Sequence, residues 1–306
     1  MVFISQYSPF YFISSMPESF VYQDYEKMQF IFLPFGLLTS FFIVGLVIFY
    51  SKKQLSFNAT LKEALINNEF FVCYQPIVNI VSGKCSGAEA LIRWQRPNGQ
   101  IVKPDFFIHY AEEMGMISFL TEKVIHLVFD EMGQFLIQNK DAHISINVSA
   151  NDMQNEHILK ILEAKILKSK IARQQIWLEL TERIFLTIEE VKKFIIQARD
   201  LGYIIAVDDF GTGFSNLSYL QNLPLDIIKI DKSFIDSLGT GSVTSHVADN
   251  IIQMAKEANL QIIAEGVEKR AQYDYLKERE VNYIQGYLFS KPLLTNEFIS
   301  FFVNSL

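Results

Sequence analysis

Residues 203–213 read YIIAVDDFGTG. Tyr203 to Val207 form a short apolar run rich in β-branched side chains, and Gly211, Thr212 and Gly213 close it with turn residues, the pattern of a buried strand. Between them stand two adjacent carboxylates, Asp208 and Asp209. An ionised carboxylate at the end of an apolar strand is costly unless it is paired or bound to a cation. The pair therefore marks both a strand end and a charge that needs a partner.

The same grammar recurs in both directions along the chain. Strand candidates are FFVCYQPIV from Phe70, GAEALIRW from Gly87, HISINV from His143, IWLEL from Ile176, DIIKI from Asp226, QIIAEGV from Gln261 and YIQGY from Tyr283. Amphipathic helix patterns lie between most of them, at His157 to Lys168, Ile188 to Asp200, Val243 to Ala258 and Glu268 to Glu280. With the 203 run these make eight strands alternating with helices over about 240 residues, which fits a (β/α)8, TIM-like barrel of the α/β class. An open doubly wound sheet is the competing architecture, but no glycine-rich fingerprint follows any of these strands.

Acidic or amide residues recur within these strands or at their ends: Glu89, Asn147, Glu179, Asp208, Asp209 and Glu265. Any one alone reads as a turn former or helix cap. In a barrel, however, the carboxyl ends of the strands converge on one face, where active sites are built. Six such groups meeting there would repel one another unless cations intervene. Oxygen ligands without His or Cys suit Mg²⁺ or Mn²⁺ better than zinc, and two carboxylates in succession can serve two metals, one bridging and one terminal. Lys229, flanked by isoleucines in DIIKI, reads as a buried ammonium paired with these acids and able to orient, or help deprotonate, a metal-bound water. A surface lysine on an edge strand is the plainer alternative.

Composition removes other function classes. Half the residues are hydrophobic, 20% are charged and the formal net charge is −7, which argues against a nucleic-acid polymer as partner, since that needs a basic face. Two cysteines, Cys73 and Cys85, supply neither a disulfide framework nor a thiolate zinc site. Five histidines are present and only His143 touches a strand candidate, at its start and hence on the rim away from the acids. Ser149 has no positioned base for a Ser-His-Asp triad.

From Phe30 to Tyr50 the chain reads FIFLPFGLLTSFFIVGLVIFY without a charge, the length needed to span a bilayer as a helix. Lys52, Lys53 and Lys62 follow it, whereas Glu18, Asp24 and Glu26 against one Lys27 precede it. By the positive-inside rule everything after Ser51 is expected in the cytoplasm. The expected organisation is a short extracytoplasmic segment over 1–28 without clear periodicity, a transmembrane helix over 29–51 and a catalytic domain over 52–306, a single-pass protein of the inner, cytoplasmic membrane. Ser56 to Asn67 has helical spacing and is expected to lead from the membrane into the globular part.

The strand blocks resemble the EAL-domain cyclic di-GMP phosphodiesterases. The resemblance runs from about Glu63 to Phe302. It is carried by YQPIV from Tyr74, EALIRW from Glu89, INVSA from Ile146, LELTE from Leu178, DDFGTGFSNLSYL from Asp208, LPLDIIKID from Leu223, AEGVE from Ala264 and QGYLFSKP from Gln285. It implies a modified (β/α)8 barrel whose first strand runs against the others. It implies a two-metal site with Glu89, Asn147, Glu179 and Asp208 on the first ion, Asp208 bridging, and Asp209 and Glu265 on the second. Catalytic roles fall on Glu89, Lys229 and Glu265, Lys229 being similar to the residue that orients water. Substrate contacts fall on Gln75, Arg93, Glu268 and Gln285, with Arg93 on a phosphate. Glu182 resembles the residue that holds the loop starting at Phe210 and couples homodimer formation to metal binding.

The resemblance further implies hydrolysis of cyclic di-GMP to linear pGpG with Mg²⁺ or Mn²⁺, lowering a messenger that controls biofilm and motility. The chain departs from a membrane subgroup of this family that has two spans and a Cys-Ser-Ser motif between them. A non-catalytic cyclic di-GMP receptor signalling at the membrane is the alternative, and the intact acidic set argues against it. A barrel glycosidase would use two carboxylates without a metal.

Overall fold

The computed structural model describes residues 2–3, 12–13, 15, 17–154, 156–181, 188–211, 223–239 and 243–305. The chain divides into two units, residues 1–62 and 63–306.

In the first unit, Val2–Phe3 and Phe12–Ile13 pair as a two-residue antiparallel ladder. A helix of 49 residues, α1 (Glu18–Ile66), follows and contains Pro34. Within it the 18 residues Phe32–Phe49 have a mean hydropathy of 2.4 and are nowhere buried. At 1.5 Å per residue this stretch is about 27 Å long, close to the hydrocarbon thickness of a bilayer, so the helix is long and apolar enough to cross one. Thr39 donates to the Phe35 and Gly36 carbonyls and Ser40 to that of Gly36, so the hydroxyls inside the apolar stretch are satisfied within the helix. The helix begins well before the apolar run and ends well after it. Residues 18–28, which show no clear period in the sequence, are helical, and Pro17 precedes the first turn. The helical spacing of Ser56–Asn67 belongs to the same helix, which ends at Ile66.

The second unit is a closed barrel. Its strands are β1 (Phe70–Asn79), β2 (Cys85–Gln95), β3 (His143–Val148), β4 (Ile176–Thr181), β5 (Ile204–Phe210), β6 (Ile227–Ile230), β7 (Gln261–Ala264) and β8 (Tyr283–Gln285). Neighbours from β2 to β8 pair in parallel. The ring closes through β1, which is antiparallel to both β2 and β8. A ninth strand, Ile101–Val102, pairs only with the outer end of β2. The expected modified barrel and its reversed first strand are both present.

Around it lie α2 (Pro104–Glu113), α3 (Ile117–Gln138), α4 (His157–Lys168), α5 (Ile188–Leu201), α6 (Val243–Glu257), α7 (Arg270–Glu278) and α8 (Thr295–Asn304). Each turns an apolar stripe inward; in α4 the buried residues Ile158, Leu159, Leu162 and Ile166 follow the helical period. Parallel strands covered by helices are buried on both faces, which is why β4 and β6 read as nearly unbroken apolar runs.

The amino-end half of the barrel is packed with side chains. Ile77, Trp177, Ala206, Ile227 and Ile263 form one buried cluster there, with Ile204 and Tyr283 against it. His143 stacks flat on Trp177, the rings 5° apart in tilt, and is itself buried. Gly87, beside it in the β2–β3 pairing, has no room for a side chain: a Cβ there would overlap the His143 carbonyl and ring. This plug, apolar but for His143, fills the amino-end half, and the acidic residues lie toward the other end.

Candidate active site

Glu89, Glu179 and Lys229 lie on β2, β4 and β6, which are not adjacent in the ring, and all three are buried. Inward-pointing residues of alternate strands share one layer of a barrel, and that geometry brings them together. The Lys229 Nζ is 2.6 Å from Glu179 Oε2, 2.7 Å from Glu265 Oε1, 3.1 Å from Asp208 Oδ1 and 3.3 Å from Glu89 Oε2. Lys229 is thus a fully buried residue between two central strands, not a surface cation. An ammonium has three protons and no more. Four carboxylates around one ammonium leave a surplus of negative charge that Lys229 cannot neutralise.

The titration of the cluster follows. Burial pushes the Lys229 ammonium down, but the charges of Asp208, Glu179, Glu265 and Glu89 outweigh it and hold the group well above its ordinary value. Burial pushes Glu179 up to about 8, helped by the negative charge of Glu89 and opposed by Lys229. Burial likewise raises Glu265, Asp208 and Asp209. Glu89 goes the other way: Lys229 and hydrogen bonds from Gln285 and Asn147 overcome its burial and keep it low. The two amides donate at 2.8 Å (Gln285 Nε2) and 2.9 Å (Asn147 Nδ2).

Asp208 and Asp209 are consecutive, and on a regular strand they would face opposite sides. The β5–β6 pairing slips here, Val207 facing Ile228 but Phe210 facing Ile230, which inserts one extra residue into β5 as a bulge. Asp209 takes a left-handed backbone, φ +54°, a conformation in which Asp is better tolerated than most residues. Bulges re-aim side chains, and this one turns both carboxylates to the same side.

Two groups of donors result. Oxygens of Glu89, Glu179 and Asp208 lie within 4.8 Å of one another, and so do those of Asp208, Asp209 and Glu265. Asp208 is common to both. Glu179 Oε1 is buried without a hydrogen-bond partner, an orphaned oxygen aimed into the surplus of negative charge. All donors are oxygens, so the set fits hard divalent cations, and these acidic groups could hold metal ions.

Above the acids opens a cleft of about 310 Å³, lined by Gln75, Glu89, Asp208, Lys232, Glu265, Gly266, Glu268, Gln285, Gly286 and Tyr287. Of the residues singled out from the sequence, Glu89, Glu179, Asp208, Asp209, Lys229 and Glu265 converge, Asn147 joins them through Glu89, and Gln75, Glu268 and Gln285 face the cleft. Arg93 stands apart. It lies four residues beyond Glu89 on β2, about 13 Å along a strand, and its Nη1 donates to the carbonyl of neighbouring Ile92. Glu182 lies outside the described residues.

Four cleft residues, Lys232, Gly266, Gly286 and Tyr287, escaped the sequence reading. Tyr287 follows the QG of the last block. Gly266 bends the chain after Glu265 with φ +66°. Lys232 follows the strand-end Asp231, whose side chain accepts from Ser233 N and caps the turn Lys232–Ile235. That Asp-Lys-Ser cap was the available signal for a cation at this strand end.

Comparison with known proteins places the barrel in a family. The family model described as "EAL domain" matches residues 58–292. The chain is 40% identical over 277 residues to the probable cyclic di-GMP phosphodiesterase PdeB of Escherichia coli (strain K12), covering 90% of this chain and 53% of that one. It is 37% identical over 243 residues to the cyclic di-GMP phosphodiesterase PdeL of the same organism, covering 78% and 66%. The chain spans about half the length of the first curated relatives it matches, 53% and 50%.

Among solved structures, the EAL enzyme Bd1971 in its cAMP and cyclic-di-GMP bound form superposes with a TM-score of 0.78 at 33% identity, over 82% of this chain and 69% of that one. The PaMucR phosphodiesterase in complex with c-di-GMP gives 0.73 at 31% identity, over 78% and 97%. The chain belongs to the EAL domain family.

Proposed function

We propose that residues 52–306 are a metal-dependent phosphodiesterase domain that hydrolyses cyclic di-GMP to linear pGpG. The observation that carries this reading is the pair of three-carboxylate groups sharing Asp208 beneath an open cleft. Glu89, Asn147, Glu179 and Asp208 would hold one Mg²⁺ or Mn²⁺, and Asp208, Asp209 and Glu265 a second. When bound, such a pair of ions activates water at neutral pH and offsets the charge on the phosphoryl oxygens.

The reaction joins a water oxygen to phosphorus and breaks the P–O3′ bond, leaving a 5′-phosphate and a free 3′-hydroxyl. Lys229, with four carboxylates 2.6–3.3 Å from its Nζ, would orient the water by donating a hydrogen bond. The water's proton passes to a carboxylate of the cluster, Glu265 standing 2.7 Å from Lys229, and from there is available to the departing O3′. Glu89, kept ionised, fixes the Gln285 and Asn147 amides. Gln75, Gln285, Glu268 and Arg93 contact the substrate, with Arg93 swinging from Ile92 to a phosphate. Glu182 links the loop from Phe210 to a homodimer.

The apolar stretch of α1 anchors the chain in the inner membrane as a single pass, with residues 1–28 outside and the barrel in the cytoplasm.

Incubating the full chain in detergent with cyclic di-GMP and Mg²⁺ or Mn²⁺, then separating products by chromatography, should give pGpG, with Ca²⁺ in their place giving none. Binding of cyclic di-GMP without any pGpG would instead make the domain a receptor. Hydrolysis that persists after chelation would remove the metals from the mechanism.

A further inference from the structure

Away from the barrel mouth, imidazole and carboxylate groups meet on the outer surface between α3 and α4. Glu122, His126 and Asp130 are spaced four apart on α3 and so share one face of it. Two contacts show where that face points: Glu122 meets His157, the first residue of α4, and Asp130 meets Lys165. The steps from Glu122 to Asp130 and from His157 to Lys165 are equal, so the two helices lie side by side in the same direction.

Glu122 Oε1 is 3.6 Å from His126 Nε2, and Glu122 Oε2 is 3.3 Å from His157 Nε2. Donors bound to one Zn²⁺ at about 2.0–2.1 Å in a tetrahedron stand about 3.3 Å apart. Two imidazoles and one carboxylate are a zinc ligand set that leaves the fourth position to water, whereas the oxygen-only donors in the barrel suit hard cations. The two rings address different oxygens of Glu122, and the three donors are not all within 4.8 Å of one another as the barrel acids are. These side chains are 34%, 44% and 55% exposed for Glu122, His126 and His157, so drawing them onto one ion takes only rotation at the surface.

We propose that Glu122, His126 and His157 form a Zn²⁺ site that staples α3 to the start of α4. The backbone there is already half fastened. Thr121, beside Glu122, donates to the buried Asp152 at 2.8 Å, and Asp152 accepts from Ser149 N and Oγ at 2.8 and 2.7 Å. The segment that leaves Asn147 is thus tied to α3 at residue 121, and an ion held by Glu122 and His157 ties its far end one residue further along the same helix. The site is independent of the phosphodiesterase reading, since none of its ligands faces the cleft.

The test uses the full chain in detergent, without a polyhistidine tag and with excess Mg²⁺ to occupy the barrel donors. Co²⁺ is titrated in as a spectroscopic stand-in for Zn²⁺, and visible absorption is recorded for the wild type, E122Q, H126Q, H157Q and D208N. The expected result is one equivalent of Co²⁺ with the intense bands of a four-coordinate ion, displaced by Zn²⁺. Affinity should fall by about 100-fold or more in each of the three ligand variants, as for loss of one ligand in three, and stay unchanged in D208N. Only the weak spectrum of six-coordinate Co²⁺ in the wild type would reduce the cluster to two His–Glu hydrogen bonds and overturn the inference. Strong bands that survive in all three ligand variants, or that vanish in D208N, also overturn it. None of these outcomes bears on the formation of pGpG, which is measured separately.

Discussion

The two ends of the barrel bury titratable groups under opposite terms. At the carboxyl ends of the strands, Lys229 is fully buried yet charged, because four carboxylates surround it. At the amino ends, His143 is equally inaccessible, lies flat against Trp177, and its Nε2 has no hydrogen-bond partner. Burial drives that imidazole down to about 3, so it is neutral at any ordinary pH. The desolvation cost is the same in kind at both ends. One end answers it with opposite charge and overshoots, leaving acids that call for cations; the other answers it by giving up the charge. The first arrangement is chemically useful and the second is only stable.

Removing metal donors is the hardest blow to the charged end. Glu89→Ala and Asp208→Asn should each lower turnover of cyclic di-GMP by ~10³-fold or more, about 4 kcal/mol on the barrier, with a cooperative unfolding transition retained. Steady-state assays beside urea unfolding check both halves, and undiminished hydrolysis in either variant refutes the assignment of donors. Lys229→Met asks a different question of the same end. It takes the counter-charge from Glu89, which is buried and held ionised, and from the acids around it, so the metal-free protein should lose about 3 kcal/mol of stability by urea unfolding in chelator. A loss below about 1 kcal/mol, the worth of a surface pair, would mean that Lys229 is not buried among ionised partners, and the contrast between the two ends would dissolve.

Much of the barrel was legible because its signals are local. Strands such as IWLEL and DIIKI declare themselves by composition, and an acid in an apolar run is conspicuous wherever it falls. The isoleucines beside Lys229 favoured its burial over a surface position, and the acids at the other strand ends supplied its partners. What was not legible depends on the chain meeting itself. The bulge at Asp208–Asp209 arises from a pairing slip against β6, and nothing in DDF distinguishes a bulged strand end from a straight one. The Lys232–Glu268 contact joins two strand-end turns through Gln272, so neither residue predicts the other. Arg93 was assigned to the substrate from the resemblance; it stands four residues beyond Glu89 on β2, with its Nη1 on the Ile92 carbonyl. The early start of α1 was hidden because polar residues before an apolar span look the same whether helical or irregular.

The neutral end can be separated from the charged one by pH. His143 has a folded pKa of about 3 against an ordinary 6.5, so below 6.5 the unfolded chain takes up a proton that the folded protein refuses. Its contribution to stability is therefore intact above about 6.5 and is lost progressively as pH falls toward 3. At pH 5 the expected loss is about 2 kcal/mol. Glu179 in the metal-free protein has the opposite sign: its folded value is raised from 4.5 to about 8, so the folded state holds the extra proton and stability falls as pH rises across that window. His143→Phe keeps a flat ring against Trp177 but cannot titrate, and should flatten the acid limb of stability measured by urea unfolding from pH 7 to pH 4, leaving the alkaline limb alone. Glu179→Gln should do the reverse in chelator. If His143→Phe leaves the acid limb as steep as in wild type, the imidazole is not held neutral by burial, and the amino end of the barrel is a wetter place than its packing against Trp177 and Tyr283 requires.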